Sequence, residues 1–497
     1  MLMAMTVFAF NVFQWLALAF FVIVNGGYIL LNLLTFITLP PYLRRRVLAD
    51  LPQRHTDLDP PVSLILPAFN EEAAIVDSVR SLLQLDYPEF EIIVVNDGSK
   101  DATLDLLVRE FDLVAFPEAF RPRVAHRPVR SIYQSRTYPE LRVVDKENGG
   151  RKSDASNAGL NAARYPLVCP VDADSVLQRD SIRLLVRPFL ENPDTVAVGG
   201  IVRLLNGCEV SGGYIRKVGL PASPMALIQI VEYLHAFLFG RIGWAAIDAL
   251  PLISGAFGLF HKETLIALGG YDHQTLAEDM ELVLRIHRHF RLQGRPYRVT
   301  FVPDPVCWTE APEDLKTLKN QRIRWHRGLL ECMSIHRALL FNPKAGLLGM
   351  VTMPFLLFCE GFGPLIEVAG YAIMISGFAF GLISWNGFLG FMAVALGLGI
   401  VLTLTSLLLE GLVYDTYPRL RQVFALMLAA VMENFGYRQL TAIWRVQGIW
   451  RWLRGSDSNW GRMERKAAWQ SEPQARTQNP AAPGKGSEPA IPTRLAS

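Results

Sequence analysis

Polar and apolar positions divide the chain into three regions of different texture. Residues 1–43 carry no charged side chain and end in Pro40-Pro41, followed by Arg44-Arg45-Arg46. At 1.5 Å per residue, one helix over that stretch would be about 65 Å long, against about 30 Å of hydrocarbon. The pattern therefore predicts a transmembrane helix that either overhangs the bilayer or breaks near Asn25-Gly26-Gly27. A cleavable signal peptide is disfavoured, because the first residues lack a basic leader and the apolar run is too long. The arginine triplet is expected on the cytoplasmic side.

From 60 to 340 the texture changes to short β-branched runs alternating with helical patterns. Val62–Leu66, Glu91–Val95, Leu141–Val144 and Leu167–Val171 read as strands, and 71–84, 101–111, 152–163 and 178–190 as helices. Such alternation predicts a mostly parallel sheet with crossover helices. Asp112 to Glu140 reads as a long connection rich in arginine (Arg121, Arg123, Arg127, Arg130, Arg136). It is taken as a solvated loop, with contact to anionic lipid or a partner protein as the alternative. The 224–260 stretch is apolar enough to resemble a span, but Glu232, His235, Arg241 and Asp248 interrupt it, which assigns it to the soluble domain.

Beyond Gly346 the apolar texture returns. Glu360 and Glu367 are the only charges up to Leu409, and a further apolar stretch over Val423–Ile443 contains Glu433, Asn434, Tyr437 and Arg438. Ionisable groups at membrane depth face a bundle interior or a wet path. Lys344, Arg419, Arg421, Arg445, Arg451 and Arg454 all favour the cytoplasmic side, so the block should cross an even number of times. Four crossings with a break at Glu360-Gly361-Phe362-Gly363-Pro364, or two crossings plus interfacial helices, both satisfy that parity. Residues 471–497, with five prolines and few large apolar groups, are expected to be disordered. No repeat of solenoid period is visible. The expected organisation is a transmembrane helix over 1–43, a catalytic-type domain over 60–312, interfacial amphipathic helices over 313–343, a transmembrane bundle over 346–446 and the 471–497 tail.

Composition agrees with a membrane protein. Of 497 residues 51% are hydrophobic and 19% charged, whereas soluble domains average about 25% charged. A net charge of only +3 rules out a whole-chain polycation for nucleic acid. The five cysteines are odd in number and never spaced C-x-x-C, which argues against a disulfide scaffold or structural zinc and for a reducing compartment.

In an open α/β sheet the ligand sits beyond the carboxyl ends of the strands. There the sequence places Pro67-Ala68-Phe69-Asn70-Glu71, Asn96-Asp97-Gly98-Ser99 and Asp172-Ala173-Asp174-Ser175. Neither G-x-G-x-x-G nor a P-loop is present, and the strand ends are acidic instead. A D-x-D pair facing an anionic ligand needs a cation between them, which suits Mg2+ or Mn2+ held by Asp174 and Asp172 against phosphate oxygens. The same residues also read as a helix cap, and Asp97-Gly98 as an ordinary turn. Asn148-Gly149-Gly150-Arg151-Lys152 opens a helix and offers N–H groups and a cation for phosphate, with Asn157 about a turn further on. Glu278-Asp279 in the first turn of another helix suits a general base, and Gln321-Arg322-Ile323-Arg324-Trp325 lies in a basic helix before the membrane block.

In order, these motifs resemble the inverting family 2 glycosyltransferases. They are closest in pattern to the membrane-embedded processive branch that includes cellulose, chitin, hyaluronan and poly-N-acetylglucosamine synthases. The resemblance implies an α/β GT-A nucleotide-diphospho-sugar transferase domain inserted between α-helical transmembrane segments. It implies that Glu71 and Asp97 contact the nucleoside and that Asp172 and Asp174 bind the diphosphate and metal. Lys152 and Arg324 would neutralise the diphosphate. Asp279, beside Glu278, would act as base, while Trp325, Gln321, Gly255 and Phe257 would bind the acceptor. The implied partners are a nucleotide-sugar donor, a growing glycan, the bilayer of the inner or plasma membrane and accessory export or regulatory subunits, with no nucleic acid. The catalytic domain is expected in the cytoplasm. The chain ends about 50 residues after its last apolar stretch, so cyclic-dinucleotide control would need another subunit. The competing readings are a polyprenyl-phosphate glycosyltransferase that adds a single sugar and a non-catalytic membrane assembly subunit that has kept the module.

Overall fold

The computed structural model describes residues 2–49, 59–118, 120–414 and 416–455, so the 471–497 tail lies outside the described residues. Its centre is one ten-stranded mixed sheet. In chain order the strands are β1 (Val62–Ala68), β2 (Phe90–Asn96), β3 (Leu113–Ala115), β4 (Val129–Ser135), β5 (Leu141–Lys146), β6 (Leu167–Pro170), β7 (Val176–Leu177) and β8 (Thr195–Leu204). They are followed by β9 (Glu209–Ser211), β10 (Tyr214–Lys217), β11 (Gly258–His261) and β12 (Arg298–Thr309). The spatial order is β3-β4-β5-β2-β1-β6-β11-β8-β12-β7, and β9 with β10 forms a separate hairpin.

The four strands expected from β-branched runs are all present and mutually parallel, as β5-β2-β1-β6. Their side chains are buried on both faces between helices, which is why they read as continuous apolar runs. The sheet as a whole is less parallel than expected, because β3, β4, β7 and β11 are antiparallel to their neighbours. Three of those four are only two to four residues long, too short to carry a period. The arginine-rich connection is likewise not a plain loop, since β3 and β4 extend the sheet edge there. It is tied down by Arg142, which is buried and donates to Glu91 at 2.5 Å and to Glu118 at 2.6 Å.

The N-terminal helix runs from Leu2 to Ala49 without a break, about 72 Å at helical rise, so of the two expectations the break is not seen. Asn25-Gly26-Gly27 does not turn the chain. The Asn25 amide donates back to the Phe21 carbonyl at 2.7 Å, and a Cβ on Gly27 would lie 2.6 Å from the Phe355 ring, so the glycine admits a neighbouring aromatic. Val12–Arg44, Pro224–Ala246 and Trp385–Val413 are long and apolar enough to cross a membrane. Leu348–Gly361 with Gly363–Ala379, bent by 42° at the expected break, would make a fourth. Their outward faces are apolar, with Trp15, Ile37, Leu408 and Leu412 all largely exposed. The last apolar stretch is two helices, Leu420–Met432 and Arg438–Leu453, with non-helical backbone at Phe435 and Gly436.

Pro224–Ala246 is wedged between sheet and bundle rather than lying free in either. Phe239 accepts a hydrogen bond from Thr35 of the N-terminal helix at 3.0 Å, Gly243 lies against Leu31, and His235 meets Glu433 at 3.1 Å. The bundle glutamates are paired within protein: Glu360 with Arg445, Glu367 with Arg438 and Glu433 with His235. A further pair crosses the junction, where Arg203 on β8 makes two hydrogen bonds, 2.8 and 3.0 Å, to Glu410 of the Leu398–Val413 helix. Both side chains are at most 4% exposed, and Tyr414 packs its ring on the guanidinium at 5.4 Å.

Truncating one member of a buried pair leaves an uncompensated charge, whereas replacing both with apolar groups does not. Glu410→Ala should therefore lower stability by about 3–5 kcal/mol, and Arg203→Met with Glu410→Leu should recover most of it. Thermal unfolding of the detergent-solubilised protein, comparing the single and double variants, checks this.

Candidate functional site

The acidic strand ends converge on one rim of the sheet. Asp97 follows β2 and is buried. It accepts hydrogen bonds from Lys146 and from the Gly149 N–H at 3.0 Å, while Asn148 donates to its carbonyl at 2.7 Å. Lys146, at the end of β5 and fully buried, also pairs with Asp154, so one ammonium holds two carboxylates. Burial pushes the Asp97 carboxyl above its ordinary value, and Lys146 and the Gly149 N–H pull it back only in part. The loops meet closely. Gly98 has φ +65°, and a Cβ there would stand 2.9 Å from the Asn148 nitrogen; a Cβ on Gly149 would fall 2.3 Å from the Asp154 carboxylate. Glu71 stands on the adjoining loop, its N–H donating to Thr103 at 2.9 Å.

The second focus is Lys152. Its ammonium binds Asp172 and donates to the Gly255 carbonyl at 2.6 Å, and the Gly255 N–H donates to Asp279 at 3.0 Å. Lys152, Asp172, Gly255 and Asp279 are thus joined in one hydrogen-bonded chain. Burial opposes the charge on Lys152, but Asp172, Glu278 and Asp279 outweigh it and hold the ammonium above its ordinary pKa. Glu278 is pushed up to about 7, first by burial and then by Asp279, with Lys152 and Arg324 acting in the opposite direction. Asp174 is buried two residues beyond Asp172. Phe257 is fully buried in the core, behind Gly255 rather than lining the rim.

The helix Glu278–Leu292 is locked in place by Leu315–Ile335. Glu331 accepts from the Leu276 N–H at 3.0 Å, Glu281 meets His336 at 3.2 Å, and Gly328 admits Ala277 so closely that a Cβ would lie 2.7 Å from it. This packing carries the Gln321–Trp325 motif to the same rim. Trp325 is half-buried, with the Arg322 guanidinium 4.7 Å from its ring centre and the Phe237 ring 6.0 Å away in an edge contact. Arg322 itself pairs with Glu232 at 2.8 Å. Gln321 is buried, and its side-chain oxygen has no hydrogen-bond partner among the described residues.

Asn157, grouped with the phosphate-binding loop from sequence, does something else. It donates to the carbonyls of Ala125 and Tyr271 and accepts from the Tyr271 N–H, clasping two loops. Sequence reading missed Lys146 and Asp154, because a lysine at a strand end and an aspartate in a helix carry no motif.

Among the described residues no three His, Cys, Asp or Glu side chains gather as a metal cage. The donor set is two carboxylates, Asp172 and Asp174, beside a cation. That fits Mg2+ or Mn2+, which bind through one or two carboxylates and take their remaining ligands from substrate phosphates and water.

Residues 63–210 match the family model described as Glycosyl transferase family 2, and residues 167–432 match that described as Glycosyl transferase family group 2. The chain is 28% identical over 267 residues to the poly-beta-1,6-N-acetyl-D-glucosamine synthase of Staphylococcus epidermidis. It is 29% identical over 269 residues to the protein of that name in Staphylococcus aureus strain COL. Each alignment covers 54% of this chain and 54% of the relative, so the chain spans about half the length of the curated relatives it matches. Among solved structures it is similar to the Pyrobaculum calidifontis mannosyltransferase in complex with GDP-Man and Mn2+. There the TM-score is 0.48 at 19% identity, over 85% of this chain and 99% of the other. With a single family model spanning more than half of its length, the chain belongs to glycosyl transferase family group 2.

Proposed function

We propose that the protein is an inverting, membrane-embedded glycosyltransferase that extends a β-linked polysaccharide from a UDP-sugar and passes it across the membrane. N-acetylglucosamine, the sugar in the names of its curated relatives, is the first to test. The observation that carries this reading is the chain Asp172–Lys152–Gly255–Asp279, which sets a candidate base beside a candidate diphosphate site on one rim.

In this reading Asp97 and Glu71 hold the nucleoside, and Asp172, Asp174, Lys152 and Arg324 hold the diphosphate. A divalent cation on Asp174 and Asp172 would offset the charge that builds on the leaving diphosphate. Asp279 accepts the proton of the acceptor hydroxyl. The hydroxyl oxygen forms a bond to the anomeric carbon from the face opposite the diphosphate, whose bond to that carbon breaks, so an α-linked donor yields a β-glycoside. Glu278, protonated near neutrality, spares Asp279 a second adjacent negative charge. Trp325 and Gln321 seat the terminal acceptor sugar, with Gly255 shaping the floor. The paired polar side chains of the bundle, among them Glu360, Glu367, Glu433 and Tyr437, supply the polar surface a glycan needs along a path through lipid. Three intact carboxylate motifs favour turnover over a scaffold role, and the Gln321–Trp325 helix beside the bundle favours polymer over single-sugar transfer. The basic clusters support a topology with the catalytic domain and the C-terminal segment in the cytoplasm and the N-terminus outside.

In proteoliposomes supplied with a panel of UDP-sugars, Asp279→Asn should leave UDP affinity near wild type while lowering transfer by about 10²-fold or more. Equal loss of UDP affinity would place Asp279 in the donor site. Chelation of divalent cations, or Asp174→Asn, should abolish turnover and weaken donor binding; full activity in excess chelator would remove the metal from the reading. Trp325→Ala should shorten or abolish polymer while single-sugar transfer persists. Polymer length read by gel electrophoresis separates these outcomes.

The raised Glu278 carboxyl adds a pH effect. The folded state holds this proton more tightly than the unfolded chain does, so its contribution to stability is complete below the ordinary glutamate pKa. That contribution is lost as pH rises through about 7. Glu278→Gln cannot lose it, so the melting temperature of the variant minus that of wild type should increase from pH 5 to pH 8.

A further inference from the structure

Arg241 is buried, 6% exposed, on the Gly240–Ala246 helix between sheet and bundle. Arg142, Arg203, Arg285 and Arg322 also have a buried guanidinium nitrogen without a hydrogen bond, but each is neutralised by a glutamate: Glu91, Glu410, Glu281 and Glu232 respectively. Arg241 differs. Among the described residues its guanidinium has no ion pair and no hydrogen bond, and its Nη1 is shut off from water. An unsatisfied buried donor is destabilising, and more so when charged, so such a group asks what fills it.

Its surroundings point to the answer. The guanidinium carbon lies 4.7 Å from the centre of the Phe237 ring, Phe237 meets Tyr233 at 4.3 Å on one side and Trp325 at 6.0 Å on the other, and Arg322 covers Trp325. The four-residue spacing of Tyr233, Phe237 and Arg241, together with the π-helical turn Leu234–Phe239, sets the three in one row. Asp279 is the acidic side chain whose charge acts on Arg241, and it acts on Lys152 as well. By geometry Arg241 belongs to the aromatic row that leads through Phe237 to Trp325, the residue assigned to the acceptor. Gln321, four residues before Trp325 on the same helix, has a buried side-chain oxygen with no partner among the described residues.

We propose that Arg241 is a further substrate-binding residue, whose guanidinium donates hydrogen bonds to oxygen substituents of the terminal acceptor sugar seated on Trp325. This rests on the reading of the site as a glycan-extending one and names a contact on its acceptor side. A neutral sugar fits because the cation already has Asp279 nearby. A fixed planar set of N–H donors matches a hydroxyl or an acetamido carbonyl oxygen and orients the sugar toward the base.

The test uses the full chain in proteoliposomes with UDP-N-acetylglucosamine and an added β-linked N-acetylglucosamine oligosaccharide. UDP affinity is measured separately by competition. Arg241→Met keeps the stem and removes the donors. It should leave UDP affinity within about twofold and raise the acceptor concentration for half-maximal transfer by about tenfold to a hundredfold, the range for losing hydrogen bonds to a charged group. Arg241→Lys, which keeps the charge without the planar fork, should fall between. If Arg241→Met does not fold, as reported by its UDP binding and thermal unfolding, Arg241→Lys carries the test alone: normal UDP affinity with weakened acceptor saturation supports the assignment. A parallel loss of UDP affinity in a folded variant would put the cation on the donor. A loss of rate at unchanged acceptor saturation would mean that it acts only through Asp279. Either result, or wild-type behaviour, overturns the proposal. Absence of transfer by wild type with every UDP-sugar would instead overturn the proposed function, and this assignment with it.

Discussion

Carboxylates repel one another, and this protein crowds them onto one sheet rim, with Asp97, Asp154, Asp172, Asp174, Glu278 and Asp279 all buried or half-buried there. Like charges at such separations raise each other's pKa unless cations intervene. Two lysines do most of the intervening. Lys146 is shared by Asp97 and Asp154, and Lys152 by Asp172 and the field of Glu278 and Asp279. Glu278 resolves what remains by keeping its proton to about neutral pH. The glycines at 98 and 149 and the strand ends that carry these groups are placed so that the two ammonium ions can reach them.

The membrane-side elements are tied into the same arrangement. The start of the Glu278–Leu292 helix is clasped by Glu331 of Leu315–Ile335, which accepts from Leu276, and by His336 just beyond that helix, which meets Glu281; the same helix also presents Gln321 and Trp325. That helix in turn lies against Arg438–Leu453, where Arg445 reaches both His326 and Glu360. Position at the rim is thus passed from the apolar helices to the carboxylates through packed polar contacts rather than through loops.

Much of this was legible in sequence. Parallel strands covered on both faces are unbroken apolar runs, so β1, β2, β5 and β6 announced themselves, and the carboxylates beyond β1, β2 and β6 followed from topology. Short antiparallel strands such as β7 and β11 gain their pairing from neighbours far away in sequence and leave no period to read. The unbroken N-terminal helix was hidden for a related reason, since whether Gly27 turns or packs is decided by Phe355, more than three hundred residues away. Within the site, the structure brings motif residues together with others that carry no motif and act by burial alone. Lys146, Asp154 and Arg241 owe their significance to what surrounds them, and Asn157 was grouped with the wrong neighbours because its partners, Ala125 and Tyr271, lie on loops that sequence does not place.

The Arg203–Glu410 pair bears on how the chain is made. The two residues are 207 positions apart, so β8 leaves the ribosome long before its counter-charge exists. At about 5–20 residues per second that interval is about 10–40 s. During it the sheet holds a cation that has no carboxylate to bury with, and the face of β8 that later meets the Leu398–Val413 helix must stay open to water. Docking of that helix, made long after β8, is then the event that gives the buried arginine its counter-charge.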